Sequence, residues 1–276
     1  MTQPSASIEQ GPLDQTTIAE LWEITRRYPQ PRSALLPMLH LVQSVEGRVT
    51  ARGIEACADI LGISAVEVSG VATFYTMFKR RPVGDYHVGV CTNTLCAVMG
   101  GDAIFEALKD HLEVGNDETA PARDGDAATV SLEHIECNAA CDYAPVMTVN
   151  WEFMDNQTPQ SARQLVDDLR AGTEVRSTRG PRICTWRQAE RVLAGFPDDR
   201  ADEGPAAGEP TLLGLRIARA NGWRAPGSDD QHGSTGSPAD TAIGAAQTSD
   251  ANDDESAMRV EKSGEGTHGG KDEVDE

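Results

Sequence analysis

Apolar residues follow two rhythms along this chain, and the rhythm changes once. From Thr16 to Tyr28, Ile18, Leu21 and Trp22 keep the i, i+3, i+4 spacing of an amphipathic helix, with Ile24 and Tyr28 at the edge of the stripe. Pro29 and Pro31 break it, and Ser33 predicts the N-cap of a second helix. Leu35, Leu36, Met38, Leu39, Leu41 and Val42 make that helix strongly apolar, with Pro37 in its first turn and Gly47 at its stop. Ala51 to Leu61 predicts a third helix, closed by Gly62, with Cys57 on its apolar face beside Ile54, Ile60 and Leu61. Ser64 predicts the cap of a short fourth helix through Val68, after which Gly70 to Tyr75 leads out towards Phe78. Residues 15–82 therefore read as a small helical domain, behind a flexible polar arm over 1–14.

From Gly84 the period becomes two. Tyr86, Val88 and Val90 alternate with His87 and Gly89, which predicts a strand ending at Cys91. Ala97 to Glu113 predicts a helix with Ile104, Phe105, Leu108 and Leu112 inward, and Gly115 to Asp126 is polar and turn-rich. Thr129 to Glu136 alternates again and ends at Cys137. Pro145 to Phe153 predicts a third strand, bent into a fourth, and Ser161 to Ala171 a helix with Leu165, Val166 and Leu169 on one face. This is an α/β region over 83–173. If its first two strands are parallel neighbours, both following loops emerge at one edge of the sheet, where open α/β sheets place their ligands.

Those two loops carry cysteine pairs, Cys91 with Cys96 and Cys137 with Cys141. Each pair can hold a metal from a single loop, and two loops side by side make a four-thiolate cage. A [2Fe-2S] cluster with one pair on each iron is one reading. A structural zinc site is the second, and cysteines buried as small hydrophobes the third. The gaps favour the cluster, since zinc knuckles most often use a two-residue gap. A Rieske centre is excluded because neither pair contains His. The chain has no C-x-x-C, which argues against a thioredoxin-type dithiol. Cys57 reads as a core residue, and His87 and His134 as packed or half-exposed strand residues and not as ligands.

Composition narrows the partners. The chain has 24 Lys and Arg against 44 Asp and Glu, a net charge of −20, which sets nucleic acid aside. Half of that excess lies in 225–276, which has 13 acidic and 3 basic residues and no Leu, Phe, Tyr or Trp, the composition of a disordered tail. Between domain and tail, 174–224 reads as a partner-docking extension. Its basic part holds Arg176, Arg179, Arg182, Arg187 and Arg191 around Cys184 and Trp186, and reads either as an exposed interface arm or as a short capping helix. Leu212 to Trp223 is a second candidate docking helix. No secretory signal and no apolar run of about 18 residues is visible, so a reducing cytosol and no membrane insertion are expected. Neither G-x-G-x-x-G after a strand nor G-x-x-x-x-G-K-[ST] occurs, so the donor of any electrons is expected on another protein.

Four segments carry a family resemblance: Ser33-Ala34-Leu35-Leu36-Pro37; Gly70-Val71-Ala72-Thr73-Phe74-Tyr75; Cys91-Thr92 with Cys96; and Cys137 through Cys141 followed by Ala144-Pro145-Val146. Over about residues 15–172 the chain resembles the E-subunit family of NADH–quinone oxidoreductase, respiratory complex I. The resemblance implies an N-terminal helical domain followed by a thioredoxin-like domain, with one [2Fe-2S] cluster held by Cys91, Cys96, Cys137 and Cys141. It implies no catalytic residue in this chain. FMN and NADH are then expected on the larger partner subunit, in the arm of a translocase that projects into the cytoplasm from the inner membrane, among other peripheral-arm subunits. The family's cluster lies near the flavin but off the main route to quinone. Similar domains serve NAD-linked hydrogenases and formate dehydrogenases as diaphorase subunits, which is the alternative. In one departure, many relatives carry Gly where this chain has Ala139, a change that bears on backbone approach or an N–H bond to sulfur.

Overall fold

Local capping sets the helical layer. α1 (Gln15–Thr25) starts where the Thr17 amide donates to Asp14 Oδ1 at 3.0 Å. Its buried face runs through Thr17, Leu21, Ile24 and Thr25. Trp22 and Tyr28, expected on or beside that face, are exposed. Trp22 stands about 100° round the helix from Leu21, enough to turn it outward. α2 (Leu35–Glu46) runs on from a 3-10 turn over Pro31–Ala34. Ser33 lies inside that turn, so the N-cap falls on Ala34 and no side chain caps it. Gly47 ends α2 at φ +76°, as the pattern predicts. α3 (Ala51–Leu61) is capped by Thr50 and closed by Gly62.

α4 (Ala65–Phe74) opens on a reciprocal capping box between Ser64 and Glu67. It continues through Gly70, beyond the stop expected near Val68, because Val68 and Ala72, one turn apart, are both buried. Leu21, Ile24, Met38, Leu39, Val42, Ile54, Cys57 and Phe78 form the core of this layer. Among the described residues no single helix is long and apolar enough to cross a membrane; α3 and α4 pass that test only as a pair, bent by 120° at their break.

The computed structural model describes residues 13–200, 202–204 and 207–224. Most of the expected N-terminal arm and the whole expected acidic tail lie outside the described residues.

Five strands form one sheet: β1 (Tyr86–Cys91), β2 (Glu118–Ala120), β3 (Val130–Ile135), β4 (Met147–Val149) and β5 (Glu152–Met154), in the order β2-β3-β1-β4-β5. β1 and β3 are parallel, in register from Tyr86 with Val130 to Cys91 with Ile135. The other pairings are antiparallel. The crossover from β1 to β3 runs through α5 (Thr94–Val98), α6 (Gly101–Leu112) and β2. The single helix expected from Ala97 to Glu113 is thus two, broken at Gly100 with φ +112°. The cause is close packing: a Cβ on Gly101 would stand 2.4 Å from the Cys91 carbonyl oxygen and 2.9 Å from that of Cys96. β2 falls in the stretch expected to be turn, because three residues are too few for a period to show. α7 (Pro159–Arg170) joins α6 over one face of the sheet, where Val88, Val90, Leu132, Met147 and Val149 pack on Ile104, Leu108, Val166 and Leu169.

The other face is polar and yet covered. Alternation places His87, Gly89, Ser131, Glu133, Thr148 and Asn150 on it. His87 is buried, its Nε2 lies 2.8 Å from Glu133, and Lys79 reaches the same carboxylate. Trp151 and Trp186 close over His87 with ring centroids at 5.3 and 5.4 Å. Trp186 opens α8 (Trp186–Leu193), which packs back on α2. The basic stretch thus ends in a helix that caps the chain's own fold. Its arginines are engaged within the chain: Arg179 with Asp155, Arg182 with Glu203, Arg187 with the Val45 carbonyl, and Arg191 with Glu20. α9 (Glu209–Ala220) follows and has no buried residue.

Candidate redox site

The parallel pair delivers the cysteines. Cys91 is the last residue of β1, and its register partner Ile135 ends β3, two residues before Cys137. Both loops leave the same end of adjacent strands. Asn93 ties them together, its side-chain amide donating to the Ile135 carbonyl at 3.1 Å. Cys96 sits within α5, and Cys141 opens a 3-10 turn over Cys141–Tyr143.

The two pairs differ in exposure. Cys91 and Cys96 are buried, packed with Ala140 and Val146 and beside Ile135, Tyr143 and Phe153, whereas Cys137 and Cys141 are exposed. Burial pushes the Cys96 thiol up to about 11; a Val146 backbone hydrogen bond opposes this and Cys91 and Cys141 reinforce it. The Cys141 thiol is also raised, first by its hydrogen bond with Cys137 and that neighbour's charge, then by burial and by Cys91. The four sulfurs thus sense one another, and a metal centre here must displace protons to form.

The donor set fits a two-iron group. The thiols come as two short-spaced pairs, which suits a [2Fe-2S] unit with one pair on each iron. The Ala139 amide donates to Cys137 Sγ at 3.4 Å, the type of contact that tunes such a centre. Ala139 holds φ +54°, a left-handed conformation that favours glycine. Ala139→Gly should therefore stabilise the chain by about 0.5–1 kcal/mol in urea titrations. A loss of stability would contradict this backbone assignment.

The other candidates stand apart from the site. Cys57 is in the helical core, where burial pushes its thiol up to about 12. Cys184 is half-buried near Arg200, raised chiefly by burial. His87 lies on the buried polar face, and His134 is exposed with its ring near Phe105. Sequence reasoning missed Asn93 and Gly101, whose parts depend on contacts across the fold. It also missed the exposed apolar residues at the first loop, Leu95 and Val98 on α5 and Met99 at its C-cap.

A helical layer followed by a mixed five-stranded sheet, with a thiol pair at or beyond the same end of each of its parallel strands, is the architecture of a thioredoxin-like domain. Residues 21–170 match the family model described as thioredoxin-like [2Fe-2S] ferredoxin, and the chain belongs to that family. Its group is a [2Fe-2S] cluster. The chain is 62% identical over 205 residues to the E subunit of the NADH-quinone oxidoreductase of Mycobacterium tuberculosis, covering 74% of this chain and 79% of that one. It is 35% identical over 158 residues to one of two such E subunits of Rhizobium meliloti, covering 57% and 91%. The solved structure of an NAD+-reducing [NiFe]-hydrogenase in the air-oxidized state overlaps 50% of this chain and 23% of its own matched chain, at 19% identity and a TM-score of 0.43.

Proposed function

We propose that Cys91, Cys96, Cys137 and Cys141 hold one [2Fe-2S] cluster, one pair on each iron, and that the chain is the E-type electron-transfer subunit of an NADH–quinone oxidoreductase. The observation that carries this is the parallel pairing of β1 with β3, with both cysteine loops at one sheet edge. The identity to the mycobacterial E subunit over most of the chain supports the choice of complex. Its partner in this reading is the subunit that binds FMN and NADH, with other peripheral-arm subunits nearby, on the cytoplasmic side of the membrane that anchors the complex.

The cluster, when bound, exchanges one electron at a time. The chain does the rest. The apolar packing around Cys91 and Cys96 keeps water from one side of the site, and the exposed Cys137 and Cys141 leave the other side open to a donor. Four anionic thiolates in an acidic chain resist an added electron, so the potential is expected to be low.

Cys96→Ser in the assembled complex tests the role. Complex yield should hold while flavin-linked reduction of the cluster changes. A variant chain that no longer folds or docks would make the site a structural staple instead.

A further inference from the structure

The segment after α7 returns to the wall of the cysteine pocket. The Thr178 amide donates to the Phe153 carbonyl at 3.2 Å, and the Asp155 amide donates to Thr178 Oγ1 at 3.0 Å, which ties the segment to β5. The Arg179 guanidinium is thereby set 3.9 Å from the ring centroid of Phe153 and 5.6 Å from that of Tyr143. Those two rings pack against the group of Cys91, Cys96, Ala140 and Val146. The same guanidinium holds Asp155 by two bonds, Nε to Oδ2 at 3.0 Å and Nη2 to Oδ1 at 3.1 Å. Both side chains are largely buried, at 17% and 7% exposure. Strand register brings Asp155 into line with the site. The Cys91 amide donates to the Val146 carbonyl at 3.1 Å, and Val146 and Asp155 stand next beyond the Met147–Met154 pair. Met147 and Met154 belong to the core of the opposite face, so alternation puts Cys91, Val146 and Asp155 on the face that carries Phe153. Two strand spacings separate Cys91 from Asp155, about 10 Å.

We infer that the Arg179–Asp155 pair sets the reduction potential of the cluster, with Arg179 cancelling a buried carboxylate that would otherwise oppose the incoming electron. The inference rests on the reading that Cys91, Cys96, Cys137 and Cys141 hold a [2Fe-2S] cluster. The potential of such a cluster answers to net charge and to solvent exposure. At about 10 Å and an effective dielectric of about 20, one uncompensated charge changes a one-electron equilibrium by about tenfold. Removing Arg179 leaves the negative charge, which disfavours the reduced state. Removing the charge of Asp155 leaves the positive one, which favours it. Exposure acts differently. Loss of either partner loosens the cover over Phe153 and Tyr143, and water let in by either route moves the potential in one direction. The signs of the two single substitutions therefore separate a charge device from a mere cover.

The test is a redox titration of the full, cluster-bearing chain, followed by EPR at about pH 8, where carboxylates are ionised. It compares the parent with Arg179→Gln, Asp155→Asn, the two combined, and Arg179→Lys. At a fixed applied potential, Arg179→Gln should lower the ratio of reduced to oxidised cluster by about tenfold, and Asp155→Asn should raise it by about tenfold, about 59 mV each way for one electron. The combined variant and Arg179→Lys, which keep the net charge, should stay within about threefold of the parent. Shifts of the same sign in the two single variants overturn the inference and make the pair a cover. Unmoved potentials in both overturn it too, and so does loss of the cluster from both, which would make the pair a brace. If one single variant loses its cluster, the other and the combined variant decide by the same signs. A parent that forms no cluster refutes the cluster reading and the inference together.

Discussion

Glu190→Ala is expected to destabilise the chain by about 3–5 kcal/mol, as loss of one member of a buried hydrogen-bonded charge set does. The Glu190 side chain is 0% exposed. Its carboxyl oxygens meet His40 Nδ1 at 2.6 Å, Gln43 Nε2 at 2.7 Å and Trp151 Nε1 at 3.1 Å. These partners lie on α2 and on the β4–β5 turn, while Glu190 itself is on α8, so one carboxyl group joins three parts of the fold. Trp151 is held there at φ +73°, an unfavourable conformation for a bulky residue that this bond helps to secure. Alanine leaves polar groups buried without an acceptor, each costing about 1–3 kcal/mol. A melting temperature lower by about 10 °C is the corresponding shift. Glu190→Gln should lose less, since its carbonyl can still accept one bond. A thermal melt of Glu190→Ala within 2 °C or so of the parent would show that the carboxyl group is not the joint it is described as.

Glu133→Ala should cost a similar amount, about 3–5 kcal/mol, and should also change the pH dependence of stability. Without this carboxylate, the buried Lys79 loses its ion pair and His87 loses its hydrogen bond. Burial alone would raise the Glu133 pKa, but the hydrogen bond with His87 and the charge of Lys79 outweigh it and hold it below its ordinary 4.5. Burial, the largest influence on His87, pulls its pKa below the ordinary 6.5. In both cases the unfolded chain takes up protons at a higher pH than the folded one. Stability is therefore present above the unfolded values and is lost as pH falls, from about 6.5 downward for His87 and from about 4.5 downward for Glu133. Denaturant titrations at stepped pH should show this acid loss in the parent and a shallower loss below about 4.5 in Glu133→Ala. An unchanged slope would mean that the carboxylate ionises as freely in the fold as out of it.

Both predictions concern residues whose importance local pattern could not show. Glu190 lies in a stretch crowded with arginines, which reads equally as an exposed arm or as a short capping helix. Only the return of α8 onto α2 reveals that Trp186 and Glu190 point inward. Glu133 and His87 alternate with apolar neighbours and read as the wet side of a strand, but Lys79, Trp151 and Trp186 cover that side. The site was more legible because its signal is local. Short cysteine gaps at the ends of period-two segments place the thiols beyond or at strand ends, while the parallel pairing and the contacts of Asn93 and Gly101 come from the fold. Gly47 and Gly62 stop their helices as the pattern predicts, since a left-handed C-terminal residue is itself a local property. The break at Gly100 is not legible in the pattern because the close approach of Gly101 to the Cys91 carbonyl arises only once α6 packs beside the end of β1.

The central claim is that the two cysteine pairs hold one two-iron cluster. The most direct measurement is anaerobic purification of the full chain, with iron, zinc and sulfide assayed and an EPR spectrum recorded after dithionite reduction. Two irons and two sulfides per chain are expected, with a reduced spin-half signal that Cys137→Ala abolishes. One zinc per chain, with no sulfide and no signal even after reconstitution, would contradict the claim and leave a structural docking module.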